Sequence, residues 1–159
     1  MNTGKTLQIS STSSAQTEQL AERLGSKLKG GEVIELISDL GGGKTTFVRG
    51  LARGFGSIDR VASPTFTISR VYQAGPRTMH HFDFYRLPEA GLIAEELAEV
   101  IGDRHCVTVV EWANVVQNVL PPTRLTIELR RTDEEGRMLH IHVPDALAYL
   151  VEELQQCSY

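Results

Sequence analysis

The chain has 159 residues, 41% of them hydrophobic, which suffices for one buried core and falls short of two. Its formal charge of −4 and isoelectric point near 5.7 exclude a protein that grips a long nucleic-acid backbone unaided, because such affinity comes mostly from basic surface. Any RNA role therefore needs a partner. Arg124, Arg130, Arg131 and Arg137 are a local exception that reads equally as a basic patch or a solvated strand face. There is no run of about 18 apolar residues, and the N-terminus lacks the charged and apolar regions of a signal peptide, so a soluble, cytoplasmic protein without membrane association is expected. Cys106 and Cys157 offer neither a disulfide framework nor a metal-binding spacing and read as two reduced thiols. Residues 1–159 read as a single domain, with the tail over residues 1–6 expected to be loosely ordered.

Taken in chain order, Ser13 to Gln16 has the form of a capping box, and Leu20, Leu24 and Leu28 recur at helical spacing before Gly30-Gly31 stops the element. Glu32 to Ile37 is an apolar strand, and Lys44 to Arg53 the helix after it, ended by Gly54. Phe66 to Tyr72 is an extended run that Gly75-Pro76 turns into Thr78 to Phe84, a hairpin. Pro88 to Val100 suggests a helix. Cys106 to Val110 is a nearly continuous apolar run ending at Glu111, the pattern of a central strand covered on both faces. Leu125 to Arg130 and Arg137 to Val143 flank Asp133-Glu-Glu-Gly136 as a second hairpin, and Leu147, Leu150, Val151 and Leu154 mark a terminal amphipathic helix.

The most informative segment joins the first apolar strand to its helix: Ser38, Asp39, Leu40, Gly41, Gly42, Gly43, Lys44, Thr45, Thr46. Three glycines let successive N–H groups face phosphate oxygens, and a helix opening at Lys44 turns its N-terminal amides and dipole toward the same anion. Lys44 suits the β- and γ-phosphate oxygens as a point charge, the Thr45 hydroxyl suits Mg²⁺, and Thr46 is expected at the α-phosphate. The full pattern begins with glycine, and here that position is Ser38, which costs more if its φ is positive. Gly4-Lys5-Thr6 has no strand before it and no helix after it, and reads as a chance match. The expected architecture is α/β, a P-loop NTPase-like three-layer sandwich whose central mixed sheet carries β-hairpins and flanking helices. ATP with Mg²⁺ is the expected cofactor.

A phosphate loop needs a metal-directed carboxylate at the end of a neighbouring apolar strand, and Glu111 stands there; the alternative is a strand-end carboxylate facing solvent. Asp83 lies in His81-Phe-Asp-Phe-Tyr-Arg86, where His81, Asp83 and Tyr85 share one face of an extended segment opposite Phe82 and Phe84. That places a polar face toward a partner group: Asp83 could orient an attacking water or hold a metal-bound one, or pair with Arg86. Thr65, after Ser63-Pro64, could sense a γ-phosphate through its hydroxyl. His140 and His142 share a strand face without a third ligand at useful spacing and read as ordinary core or surface histidines.

These motifs, Ser38 to Phe47, Ser63 to Thr67, His81 to Arg86 and Val110-Glu-Trp112, resemble in order the TsaE (formerly YjeE) family, small bacterial P-loop ATPases of tRNA threonylcarbamoyladenosine formation, over roughly residues 10 to 143. The resemblance implies an accessory ATPase, weak alone, that acts with the TsaD–TsaB heterodimer in modifying N6 of adenosine 37 in tRNAs reading ANN codons, meets tRNA only through those partners, and is not itself the transferase. By position it implies phosphate contacts for Lys44 and Thr46 and the Mg²⁺ pair Thr45 and Glu111. It makes Thr65 a switch threonine, assigns hydrolysis to Asp83 and places a basic contact near the nucleotide at Arg137. Two rival readings share the loop: a small-molecule kinase, for which no segment reads as an arginine-rich lid, and a nucleotide-dependent binding module with little catalysis. The guanine signature Asn-Lys-x-Asp is absent from the chain.

Overall fold

The computed structural model describes residues 4–39, 43–64, 68–89 and 91–154. Seven strands form one mixed sheet: β1 (Gly4–Ser11), β2 (Val33–Ile37), β3 (Ser69–Ala74), β4 (Arg77–Asp83), β5 (Cys106–Glu111), β6 (Leu125–Arg131) and β7 (Arg137–Pro144). Their order across the sheet is β1-β7-β6-β2-β5-β4-β3. β6, β2, β5 and β4 run parallel, whereas the β3–β4 and β6–β7 hairpins and the β1–β7 pair are antiparallel. β2 and β5 occupy the interior, their residues mostly apolar on both faces; every residue of β5 is buried.

One face of the sheet is covered by α1 (Ser14–Ser26) and α2 (Lys44–Phe55). Leu20, Leu24, Phe47, Val48 and Leu51 meet Ile34, Leu36, Val107, Val109 and Ile127 there in the larger core. The opposite face carries a smaller core in which Val33, Phe82 and Val110 meet Leu97 of α3 (Leu92–Ile101) and Val116 of a 3₁₀ turn (Ala113–Val116). These are the three layers expected. No described helix is long and apolar enough to cross a membrane.

Local chemistry explains most element ends, and in four places it overrides the sequence pattern. Ser13 caps α1 by accepting from Gln16 N, but the Gln16 side chain reaches back to Thr12 N, one residue before the capping-box target. α2 runs through Gly54 to Phe55 and stops at Gly56, which adopts φ 106°. Gly54 marks a close approach instead of a stop: a Cβ there would fall inside the van der Waals envelope of Glu22 O on α1, and Gly50 meets Glu18 O in the same way. Residues 4–6, expected in a loose tail, open β1, where Gly4, Lys5 and Thr6 pair with Pro144, Val143 and His142. The terminal segment forms a 3₁₀ turn over Asp145–Val151 in place of an α-helix.

The remaining boundaries move by a few residues, with β3 beginning at Ser69 and α3 at Leu92. His140 and His142 line the face of β7 away from α1 and α2 and are bonded by Gln8 and Thr6 of β1. Among the described residues no group of three His, Cys, Asp or Glu is placed to hold a metal ion.

Arg77 fastens the helical layer to the sheet. Its guanidinium donates to Leu28 O, Lys29 O and Phe55 O and lies 4.3 Å over the Phe55 ring, so one cation serves the C-terminal ends of both α1 and α2. The α1–α2 approach is open to a direct check. Helix propensity alone would make Gly54→Ala stabilising by up to ~1 kcal/mol. The crowding against Glu22 makes a net loss of about 1–3 kcal/mol the expected result in urea unfolding.

Candidate functional site

The parallel register brings the carboxyl ends of three strands to one edge. Leu36 of β2 stands beside Glu111 of β5, and Glu111 beside Asp83 of β4. Ligands of such sheets sit in the crevice outside these ends. From β2 the chain passes Ser38 and Asp39 and enters α2 at Lys44; Leu40, Gly41 and Gly42 lie outside the described residues, as does Thr65. Gly43, the residue before α2, has φ 97° and offers no side chain to cap the first turn, so the leading amides of α2 receive no side-chain cap from that position. Thr45 and Thr46 are half-buried in that turn.

The Arg137 side chain lies against Gly43. A Cβ at Gly43 would lie 3.2 Å from Arg137 Nε, and Arg137 Nη1 donates to Gly136 O at 2.7 Å. The β6–β7 turn behind it is shaped by Asp133, whose carboxylate accepts from Gly136 N and Glu135 N. Those two bonds hold its pKa below the ordinary carboxylate value. The structure thus brings Arg137 beside Gly43, the last residue before α2.

Lys44 is nearly buried. Its Nζ donates to Ser38 O and Asp39 O, each at 3.2 Å, and lies 5.1 Å from the centroid of the Trp112 ring. Trp112 adopts φ 54° and ψ 51°, a left-handed conformation uncommon for a side chain of this size, and Tyr85 packs on it at 4.9 Å. Trp112 and Ile68 are the only described non-glycine residues with positive φ, so Ser38 lies outside the left-handed region. Serine at the first position of the loop is therefore accommodated without backbone strain, and its hydroxyl donates to Asp39 O.

Glu111 and Asp83 are both buried, at 3% and 4% exposure. Glu111 Oε2 lies 2.6 Å from His81 Nε2. Asp83 Oδ1 accepts from Tyr85 N, and its own N–H donates to Ile68 O. The alternation expected from the sequence holds, with His81 and Asp83 opposite Phe82. His81 and Asp83 are enclosed beneath the layer that carries α2, and the group that the polar face of His81 meets is Glu111. The pairing of His81 with Glu111 escaped sequence reasoning. Its signal is a histidine two residues before the aspartate on the same face of a strand, which is usable only once the register of β4 against β5 is known.

A glycine-bearing loop between a buried parallel strand and a helix, in a three-layer sandwich, defines a P-loop NTPase-like α/β protein. The comparisons with known proteins narrow this class. TsaE from Bacillus subtilis (strain 168), named a tRNA threonylcarbamoyladenosine biosynthesis protein, is 36% identical over 147 residues, covering 89% of each chain. The protein of the same name from Treponema pallidum (strain Nichols) is 38% identical over 136 residues, 82% of this chain and 96% of that one. A crystal structure of Bacillus subtilis YdiB superposes with a TM-score of 0.78 at 31% identity over all of both chains. The family model described as "Threonylcarbamoyl adenosine biosynthesis protein TsaE" matches residues 11–139, and the chain belongs to this family.

The four arginines Arg124, Arg130, Arg131 and Arg137 do not make one basic patch. Arg124 is spent on Glu35, a buried carboxylate of β2 that accepts from Arg124 Nε at 2.9 Å and Gln117 Nε2 at 3.0 Å, while Arg130 pairs with Glu128. Removing Arg124 strands a buried charge. Arg124→Met is expected to cost about 1–3 kcal/mol in urea unfolding, and adding Glu35→Gln to recover at least half of that loss.

Proposed function

We propose that this chain is the Mg²⁺-dependent ATPase that accompanies the TsaD–TsaB heterodimer in threonylcarbamoylation of N6 of adenosine 37 in tRNAs reading ANN codons. Hydrolysis resets the complex, and tRNA is met through the partners in the cytoplasm. The observation that supports it most is the convergence of Lys44, Glu111 and Asp83 at the carboxyl ends of β2, β5 and β4, in a chain of the TsaE family.

The residues present fit a nucleotide with its cation: a glycine of positive φ that gives the helix start no side-chain cap, a lysine already held at the loop, and a buried carboxylate on the adjoining strand. When bound, Mg²⁺–ATP supplies a phosphoryl group open to attack by water and a cation that offsets its charge. The motif assigns Asp39 to Gly43, with Thr46, to the phosphates, and Arg137 stands beside Gly43. Lys44 exchanges the neutral carbonyls of Ser38 and Asp39 for anionic oxygens, which strengthens its hydrogen bonds. Thr45 and Glu111 hold the cation. Asp83 orients the attacking water, its carboxylate steadied by Tyr85 N. Thr65 is assigned to sense the γ-phosphate on the strength of its motif alone. Arg86 is exposed at the turn after β4, so acceleration by an arginine from the partner is consistent with weak activity alone.

Two variants test this reading. Lys44→Met is expected to weaken ATP binding about 10–100-fold, the worth of a charge-assisted hydrogen bond, with Trp112, the single tryptophan, as fluorescent reporter. Asp83→Ala is expected to bind ATP normally yet to lose partner-stimulated release of inorganic phosphate by about 10²-fold or more. Turnover unchanged in Asp83→Ala would overturn the assigned role, and γ-phosphate recovered on any acceptor other than water would favour a kinase.

A further inference from the structure

We propose that His81 is a positioning residue for Glu111, fixing through its Nε2–H which carboxylate oxygen remains for a divalent cation at the phosphate loop. The inference rests on reading Glu111 as the cation-directed carboxylate. His81 stands opposite Val109 in the β4–β5 register, two residues before Asp83 and on the same face as Asp83 and Glu111. Glu111 therefore turns its side chain back along the strands to put Oε2 2.6 Å from His81 Nε2. An aspartate at this position lacks the methylene needed for that reach. Both partners are shielded from water, His81 at 0% and Glu111 at 3% exposure, so the bond is not exchanged for solvent. Behind the imidazole, the Tyr72 ring lies 6.3 Å away and is itself tied by its hydroxyl to Ala62 O, which confines the histidine.

His81 Nδ1 is buried and has no hydrogen-bond partner among the described residues, so the bond to Glu111 is what orients the ring's polar edge. Glu111 has Oε2 engaged by His81 Nε2 and Oε1 left over. Partners of ligating groups of this kind set ligand orientation and tune metal affinity.

The test compares ATP affinity with Mg²⁺ and with EDTA, by calorimetry, for the wild type, His81→Leu, His81→Gln and Glu111→Gln, each first shown to be folded by urea unfolding. A merely structural histidine would leave the Mg²⁺-dependent gain in affinity untouched. The expected result is that His81→Leu loses about 10-fold or more of that gain, with affinity in EDTA unchanged. His81→Gln, whose amide N–H can reach the same oxygen, should keep the gain to within about 3-fold. Should His81→Leu not fold, His81→Asn, too short to reach Oε2, replaces it. A full gain in His81→Leu, or an equal loss in His81→Gln, overturns the inference. If Glu111→Gln also keeps the full gain, the assignment of Glu111 fails and the inference with it. If Glu111→Gln loses the gain while His81→Leu keeps it, the inference alone falls.

Discussion

The parallel alignment of β4, β5 and β2 is the constraint on which the rest of this molecule depends. Parallel strands run buried on both faces and end together, so the residues leaving them are forced into one crevice. Here those residues are Asp83, Glu111 and the loop after Ile37. A slip of one residue in β5 would turn Glu111 to the opposite face and place Val110 beside the loop. The apolar run of β5 holds the register, because Val107 and Val109 fill the larger core while Val110 fills the smaller one.

Helix α2 must then present its N-terminus to the same edge, and its position is set by close packing on α1. Gly50 and Gly54 bring the helix backbones together, and Arg77 ties the far ends of both helices to the sheet. The glycines weaken α2 as an isolated helix, and packing against α1 offsets that weakness. The order of the loop is thus connected to contacts at the opposite end of the molecule.

Buried charge is divided between two kinds of setting. Glu32, at the amino end of β2, accepts from Lys29 N, Gly30 N and the Tyr149 hydroxyl, whose pKa is raised by burial and by that carboxylate. Glu35 is matched by Arg124 and Gln117. Both carboxylates are committed to the fold. At the carboxyl edge the matching is thinner: Glu111 is served by one histidine, and Lys44 rests on two carbonyls and an indole face. Buried groups left with exchangeable partners are the ones a ligand can recruit.

The sequence by itself determined the class of fold, the strand–loop–helix unit from Glu32 to Arg53, both hairpins and the family, because periodicity, glycine placement and motif order are local properties of the chain. It misread Gly54 as a stop and residues 4–6 as a loose tail, and it did not find the pairing of His81 with Glu111. In each case the deciding contact lies far off along the chain, at Glu22, at residues 142–144 and at Glu111. Only the tertiary structure decided that Ser38 is free of strain, that Arg124 belongs to Glu35 and that Lys44 lies under Trp112. Backbone angles in a loop and the partners of buried charges are set by which strands become neighbours, and residue pattern alone does not carry that information.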